Sequence, residues 1–435
     1  MRSASQFDLD LRRHAENVQA ELCAQNEQWS KGFTRRTFLG GAMVGVASLA
    51  LQTVTTRVSY ASASTSNGNT VINIFLRGAA DGLRVLVPAS STLGSNYLAS
   101  VRGALVPANP LALTGTGGWA LHSVLSPLMP FWNSNELAFV PAVADPSESR
   151  SHFQAQQAFE RGGQQSATSG WLDRTLQQLG PGTTFRAVAH NTTEPVSLAG
   201  EEASLAIRSL DSFTFPGWSG VSARSQTALA GLYRGYEGTL GEDVPTTLAA
   251  LATAATARSG ASVQNGATYP SGDFGTAMKD LATLIRAGVG LEVATVDVGG
   301  WDTHTDEVNQ LDKLLTSLGN TLAAFMTDLG PTLRSKVTVA VMTEFGRRVA
   351  MNDSAGSDHG HGGVMILLGG GLVGGRVHGQ WTQLSDAVLD QGDVPGWNNP
   401  FDVLGEIVQK RLGVGSLSTI FPGHAYAPLG LATTL

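Results

Sequence analysis

Short apolar runs alternate with segments of helical spacing along most of the chain after residue 70. Runs rich in Val, Ile, Leu and Ala, bounded by turn residues, are typical of strands buried on both faces. They cover residues 71–76, 137–143, 291–298, 336–342 and 364–368. Helical spacing is present at residues 121–132, 152–161, 171–179, 222–258, 275–287, 306–329 and 401–412. This alternation predicts an α/β fold with a mostly parallel central sheet and helices on both faces.

Polar side chains collect next to these apolar runs. In open α/β sheets the ligand site lies past the carboxyl ends of the strands, so we expect these residues to share one rim. The candidates, in chain order along successive strands, are Asp81, Ser151, His152, Asp302, His304, Glu344, Asp358, His359 and His361. The last three precede the run at 364–368, and the others follow runs.

The candidate residues are suited to metal chemistry. Carboxylate oxygen and imidazole nitrogen bind divalent cations such as Zn, Ca, Mg or Mn. The predicted metal ligands are Asp81, Asp302, His304, Glu344, Asp358, His359 and His361. Ser151 lies at a predicted helix N-terminus, where the local field suits an anion or an alkoxide nucleophile. With His152 beside it, Ser151 forms the predicted catalytic pair.

Each candidate also has a structural interpretation. Asp81 could cap a turn, and Ser151 could be an ordinary helix N-cap, as could Ser149. The pair Asp302 and His304 could simply bind each other. Glu344 could pair with a neighbouring arginine, and the segment 358–361 could be a solvated loop.

Composition narrows the possible chemistry. The formal net charge is −7, which does not favour nucleic acid as a partner. The single cysteine, Cys23, precedes the predicted export signal, so thiolate metal sites and disulfides are not expected in the mature protein.

The first 63 residues predict export. Arg35 and Arg36 precede the uncharged stretch 40–56, and small residues at 61–63 suit a cleavage site. This pattern indicates a leader and twin-arginine signal over residues 1–63, with the twin-arginine translocase as partner during export. The stretch is too weakly hydrophobic for a stable membrane span in the mature form. We therefore expect a periplasmic or extracellular protein whose domain covers residues 64–435.

Five successive motifs carry a family resemblance. They are FLRGAADGLRVLVP, SRSHFQAQQAFERG, GGWDTHTDE, MTEFGRRVAMN and GSDHGHGGVMILLGGGLVGGRVHG. The chain resembles the bacterial exported family labelled "domain of unknown function fifteen-oh-one", which is placed in the alkaline phosphatase and sulfatase superfamily. The resemblance implies an alkaline-phosphatase-like fold.

The resemblance also implies roles for individual residues. Asp81 and Glu344 would bind one metal, and Ser151 would be the nucleophile. Asp302 and His304 would bind a second metal, completed by His359 or His361. Two departures stand out: the Asp302-x-His304 spacing is shorter than the superfamily's, and Phe345 replaces a metal-binding histidine.

Two functions follow as hypotheses. The first is a metal-dependent hydrolase that cleaves a small anionic ester, a phosphate or a sulfate, with Ser151 or a metal-activated water as nucleophile. The second is a catalytically degenerate envelope protein that keeps the fold as a binding or assembly module, with bound metal absent or purely structural.

Overall fold

The computed structural model describes residues 68–146, 149–215, 219–233, 239–260 and 262–434. The predicted leader and export signal, with their boundary at residue 63, lie outside these ranges. The described residues between 68 and 214 and between 246 and 434 belong to a larger compact unit, and those between 215 and 245 belong to a smaller one. All candidate site residues belong to the larger unit.

The secondary structure follows the predicted alternation. The strands are β1 (Thr70–Leu76), β2 (Leu86–Pro88), β3 (Leu111–Ala112), β4 (Trp119–Leu121), β5 (Leu137–Val143), β6 (Ala187–His190), β7 (Leu205–Ala206), β8 (Val293–Val298), β9 (Val337–Thr343), β10 (Gly363–Gly369) and β11 (Arg376–Val377). The helices are α1 (Gly82–Val85), α2 (Ser95–Arg102), α3 (Met129–Asn133), α4 (His152–Glu160), α5 (Trp171–Leu179), α6 (Ser219–Tyr233), α7 (Thr239–Ser259), α8 (Asp273–Arg286), α9 (Glu307–Arg334), α10 (Pro400–Ile407) and α11 (Leu417–Ile420). Short 3-10 helices cover Ser91–Leu93, Gly103–Leu105 and Ser123–Leu128, and a π-helical turn, Val408–Leu412, continues α10.

Eight strands form one sheet in the order β11-β5-β10-β9-β1-β8-β6-β7. Strand β10 runs antiparallel to both of its neighbours, β5 and β9. The other neighbouring strands are parallel to each other. The predicted mostly parallel sheet is therefore confirmed, and the reversed direction of β10 is a feature that the apolar pattern did not predict. A separate antiparallel sheet has the order β2-β4-β3.

Both faces of the large sheet are covered. Successive side chains of a strand point to opposite faces, so a buried strand must be apolar on both. Ile74 of β1 belongs to a core with Leu281 of α8 and Phe325 of α9. Phe75, the next residue, belongs to a second core with Phe401 of α10. The sheet is thus the middle layer between helices, as the sequence predicts.

The segment 121–132 corrects one helix prediction. Strand β4 ends at Leu121, and a 3-10 helix then precedes the short α3. Pro127 lies inside the 3-10 helix, and Pro130 lies in the first turn of α3. A proline has no backbone N–H to donate, so a continuous α-helix across this segment would lose bonds at both positions.

Within the described ranges, no helix combines the length and the apolar character that crossing a membrane requires.

Candidate functional site

The candidate residues gather at the carboxyl edge of the large sheet. Asp302 and His304 lie in the loop after β8, and Glu344 directly follows β9. His359 precedes β10, and because β10 runs antiparallel to β9, its amino end lies at the same edge. The reversed strand therefore brings a histidine from before a strand next to residues that follow strands.

Three potential ligand atoms form a triangle, which we call the Asp–His triangle. Asp302 Oδ1 lies 3.0 Å from His304 Nε2 and 3.0 Å from His359 Nε2. The two imidazole nitrogens are themselves 3.0 Å apart. The Asp302 side chain is 47% exposed and that of His304 is 40% exposed, so the triangle is open to solvent.

Arg347 ties the loops around the Asp–His triangle together. Its Nη2 donates to Asp302 Oδ1 at 2.7 Å and to the Gly78 carbonyl at 2.9 Å, and its Nη1 donates to the Ser357 carbonyl at 2.6 Å. The Arg347 side chain is buried, so its guanidinium is committed to these loops. Burial opposes ionisation of Asp302, but hydrogen bonds from His359 and Arg347 lower its pKa to about 2. The carboxylate is therefore charged at neutral pH.

His152, the first residue of α4, approaches the triangle from another side. Its Nδ1 lies 2.8 Å from Glu344 Oε1. Because a carboxylate only accepts, the neutral ring carries its proton on Nδ1 and keeps a lone pair on Nε2. This Nε2 is buried, has no hydrogen-bond partner among the described residues and lies 3.6 Å from Asp302 Oδ2. One ligand atom from each of His152, Asp302 and His359 lies within 4.8 Å of the other two.

Glu344 orients His152 from behind. It accepts hydrogen bonds from the Gly78 amide and from Gln156 Nε2, each at 2.8 Å. Gln156 Oε1 in turn accepts from Arg77 Nη1 at 2.9 Å, and since a guanidinium only donates, the orientation of the Gln156 amide is determined. Burial opposes ionisation of Glu344, but hydrogen bonds from His152 and Gln156 lower its pKa. The bond to Glu344 raises the pKa of His152. The structure thus places Glu344 behind a histidine and not in the triangle.

Phe345 occupies the position where the resemblance implies a metal-binding histidine. Its ring stacks on His152 with centroids 5.0 Å apart and an interplanar angle of 23°. It also packs against His359, with centroids 4.9 Å apart. On its other side it contacts Ala79 and Ala155 in a small apolar cluster. Phe345 therefore restrains the planes of two imidazoles instead of supplying a third donor.

Asp81, predicted as a metal ligand, is not brought into the triangle. It is buried, and its Oδ2 pairs with Arg102 Nη2 at 2.5 Å. Its Oδ1 accepts from the Leu83 amide at 3.1 Å and so caps α1. A buried carboxylate needs a paired charge, and Arg102 already provides it. In the structure Asp81 therefore caps a turn, in agreement with its alternative, structural interpretation.

Asp358 and His361 flank the triangle differently. Asp358 Oδ1 lies 3.3 Å from His304 Nδ1 and accepts from Asn352 Nδ2 at 3.1 Å, so it orients His304 from the solvent side. His361 Nε2 lies against Gly396 instead.

Ser151 occupies the N-cap position of α4 and is exposed. Its side chain makes no capping hydrogen bond, and its backbone amide donates to Ser149 Oγ at 3.2 Å. The hydroxyl is thus available beside His152 at a helix N-terminus. Its role as nucleophile stays a prediction.

Three residues of the site were missed by sequence reasoning: Gln156, Asn352 and Phe345 in its packing role. Gln156 had a detectable signal, because it lies four residues after His152 and so on the same face of a helix. Asn352 follows no apolar run, and no pattern in the sequence distinguishes it.

No curated protein matches this chain significantly. Among solved structures, the lipoteichoic acid synthase LtaP from Listeria monocytogenes matches with 10% identity and a TM-score of 0.28, over 72% of this chain and 69% of that one. The family model described as "Protein of unknown function (DUF1501)" matches residues 112–395, which is more than half of the sequence. The chain therefore belongs to the DUF1501 family.

Proposed function

We propose that this chain is an exported, metal-dependent hydrolase of phosphate or sulfate esters with an alkaline-phosphatase-like fold. The observation that carries the proposal is the Asp–His triangle of Asp302, His304 and His359, with the bare Nε2 of His152 beside it. These side chains come from three separate loops and meet at the edge where α/β proteins bind their ligands.

The spacing of the donors supports a single small cation. Zinc binds nitrogen and oxygen at about 2.0–2.1 Å, which places tetrahedral ligand atoms about 3.3 Å apart. The edges of the triangle are 3.0 Å, close to that spacing, and His152 Nε2 lies outside the triangle, 3.6 Å from the second oxygen of Asp302. Two imidazoles and one carboxylate are a common zinc donor set that leaves a coordination position open. A set rich in imidazole favours zinc over calcium or magnesium.

A bound cation at the triangle would polarise the ester and offset charge on the transferring group. His152 accepts the proton of the attacking hydroxyl at Nε2, while Glu344 holds the proton on Nδ1. Phe345 keeps the His152 ring in the plane that this transfer requires. Ser151, adjacent to His152, supplies the hydroxyl; retention of turnover in Ser151→Ala would assign the attack to water.

The test is turnover of p-nitrophenyl phosphate, bis(p-nitrophenyl) phosphate and p-nitrophenyl sulfate by purified protein with Zn, Mn, Ca or Mg. We expect turnover with zinc of at least one ester, reduced about a hundredfold or more in His304→Ala. His378→Ala is the matched control, because His378 Nε2 lies 2.8 Å from the Val373 carbonyl and binds the backbone there. The absence of turnover under all these conditions would contradict the proposal.

A second candidate is a non-enzymatic envelope protein that keeps the fold for binding. Two observations favour it: Arg102 occupies the carboxylate of Asp81, and Phe345 stands in place of a histidine. Asp81 and the histidine that Phe345 replaces belong to the same one of the two metal sites that the family resemblance implies. That site therefore lacks both ligands. A fully folded, metal-free protein that turns over no ester would support this candidate over the first.

We further propose that the protein works in the periplasm or outside the cell after export by the twin-arginine translocase. The support is the pattern of Arg35 and Arg36 ahead of an uncharged stretch.

A further inference from the structure

Two segments that supply residues of the site each carry a large hydrophobic side chain that remains exposed. Among the side chains that the structure describes, these are Phe153, which is 87% exposed, and Met351, which is 39% exposed. Phe153 follows His152 in the first turn of α4. Met351 precedes Asn352, whose amide donates to Asp358 at 3.1 Å. Both segments therefore supply residues of the polar site as well as an exposed apolar side chain.

The composition of α4 makes Phe153 an exception. Other exposed positions of this helix are polar, namely Gln154 and Gln157. Its Ala155 and Phe159 face the core and are buried. A phenyl ring left in water forgoes the free energy that burial would provide, so a polar residue would serve the folded state equally well at this position. Ligand sites combine a few polar groups, which fix the orientation of the ligand, with hydrophobic side chains that contact its apolar part.

We propose that Phe153 and Met351 bind the apolar part of an ester substrate whose anionic group lies at the Asp–His triangle. The inference rests on the proposed function and names its substrate class: amphiphilic esters that carry an aryl or alkyl group. A stable protein interface buries about 800 Å² on each partner. A helix that lies on a membrane presents a broad apolar face. Two single side chains supply neither of these, but they suffice for one aryl or short alkyl group.

The experiment measures binding without turnover. Methylphosphonate and hexylphosphonate share one anionic head group and resist hydrolysis, so their dissociation constants for the zinc-loaded protein compare the apolar parts alone. We expect hexylphosphonate to bind about tenfold tighter or more. In Phe153→Ser this ratio falls below about threefold, with methylphosphonate binding unchanged, and Met351→Ser lowers it less. Gln157→Ser, at an exposed position of the same helix, leaves the ratio as in the parent protein.

Three outcomes would overturn the inference. Equal affinity for the two phosphonates refutes the apolar contact and leaves the proposed function standing. Failure of both to bind removes the anion site itself, and with it the proposed function. If Phe153→Ser keeps the ratio but abolishes sedimentation with vesicles of phosphatidylcholine and phosphatidylglycerol, Phe153 contacts a membrane instead.

Discussion

His152 is the residue whose chemistry depends most on its neighbours. Glu344 accepts a hydrogen bond from the proton-bearing Nδ1 of His152. Hydrogen bonds from Gln156 and from the Gly78 amide hold Glu344 in place. Carboxylates in this position determine the tautomer of a functional histidine, and their own partners matter almost as much. Gln156 therefore acts on the Asp–His triangle only through Glu344 and His152.

Replacing Gln156 tests this chain of hydrogen bonds. In Gln156→Leu we expect Glu344 to lose a donor, so His152 should no longer hold a single tautomer and turnover should fall about tenfold to a hundredfold. The ring nitrogen signals of ¹⁵N-histidine-labelled, metal-free protein report the tautomer directly. Gln157→Leu, on the exposed side of α4, serves as control. An unchanged His152 signal in Gln156→Leu would show that Glu344 needs no such support.

A second buried acid lies behind the site, at the start of α9. Glu307 accepts a hydrogen bond from Ser357 Oγ at 2.5 Å, and Ser357 lies in the loop that Arg347 holds. Burial and the neighbouring charge of Asp81 raise the pKa of Glu307 to about 8. Glu307 therefore remains protonated in the folded protein near neutral pH.

The raised pKa of Glu307 predicts how stability depends on pH. Between its ordinary value near 4.5 and about 8, the unfolded chain releases this proton while the folded protein keeps it, so the free energy of unfolding falls as pH rises through that window. In Glu307→Gln this loss should disappear. Urea unfolding gives the free energy of unfolding of both proteins at pH 5 and pH 8. The difference between their changes over this range is the contribution of Glu307. Parallel declines in both proteins would contradict the assignment.

The positions of the long strands were more predictable than their arrangement in the sheet. Apolar runs located β1, β5, β8, β9 and β10, because a strand buried on both faces must be apolar throughout. An apolar run does not indicate the direction of its strand. The sequence of β10 is compatible with either a parallel or an antiparallel strand, and its antiparallel pairing with β5 and β9 is seen only in the structure. The two-residue strands were too short to carry a pattern.

The turn after β1 is the element on which the site depends most closely. Gly78 has a φ of +121°, a conformation that other residues rarely adopt. A Cβ atom at Gly78 would lie 2.6 Å from the Asp302 amide nitrogen. The turn therefore has room for a glycine alone if Asp302 is to keep its position.

Gly78→Ala should displace the Asp302 loop. We expect a loss of stability of about 2 kcal/mol or more from strain and overlap, together with loss of metal binding. Gly115→Ala is the matched control, since Gly115 also has a positive φ of +81° but nothing within 4 Å of an added Cβ. It should cost only about 1 kcal/mol and retain metal. Equal effects of the two substitutions on metal binding would refute the close approach.

For the whole molecule, the sequence predicted which residue types would meet but not all of their partners. Asp302 and His304 follow β8 and lie at the site as the strand-end rule implies, whereas His359 precedes β10 and joins them because β10 is antiparallel to β9. Asp81 also follows a strand, yet Arg102 binds its carboxylate. No local pattern shows that Arg102, in a helix twenty-one positions later, reaches that carboxylate. Tertiary pairing of this kind, not the position at a strand end, decides which acids face the site.

The proposed export by the twin-arginine translocase is tested by a paired substitution. Replacing Arg35 and Arg36 by lysines should leave unprocessed protein in the cytoplasm, because the translocase reads the arginine pair ahead of the uncharged stretch. Arg12 and Arg13 form a second pair in the leader, so their replacement by lysines is the control and should not affect export. Cell fractionation distinguishes the two. Normal processing without Arg35 and Arg36 would contradict the predicted signal.

If Asp302 and its neighbouring imidazoles hold a shared cation, the metal content of the protein reveals it. Protein purified after export should contain about one zinc ion per chain. The double variant His304→Ala with His359→Ala should fold, as shown by circular dichroism, but retain less than about a tenth of that metal, whereas His361→Ala should retain all of it. A folded, metal-free parent protein, or a double variant that keeps its metal, would refute the shared cation site.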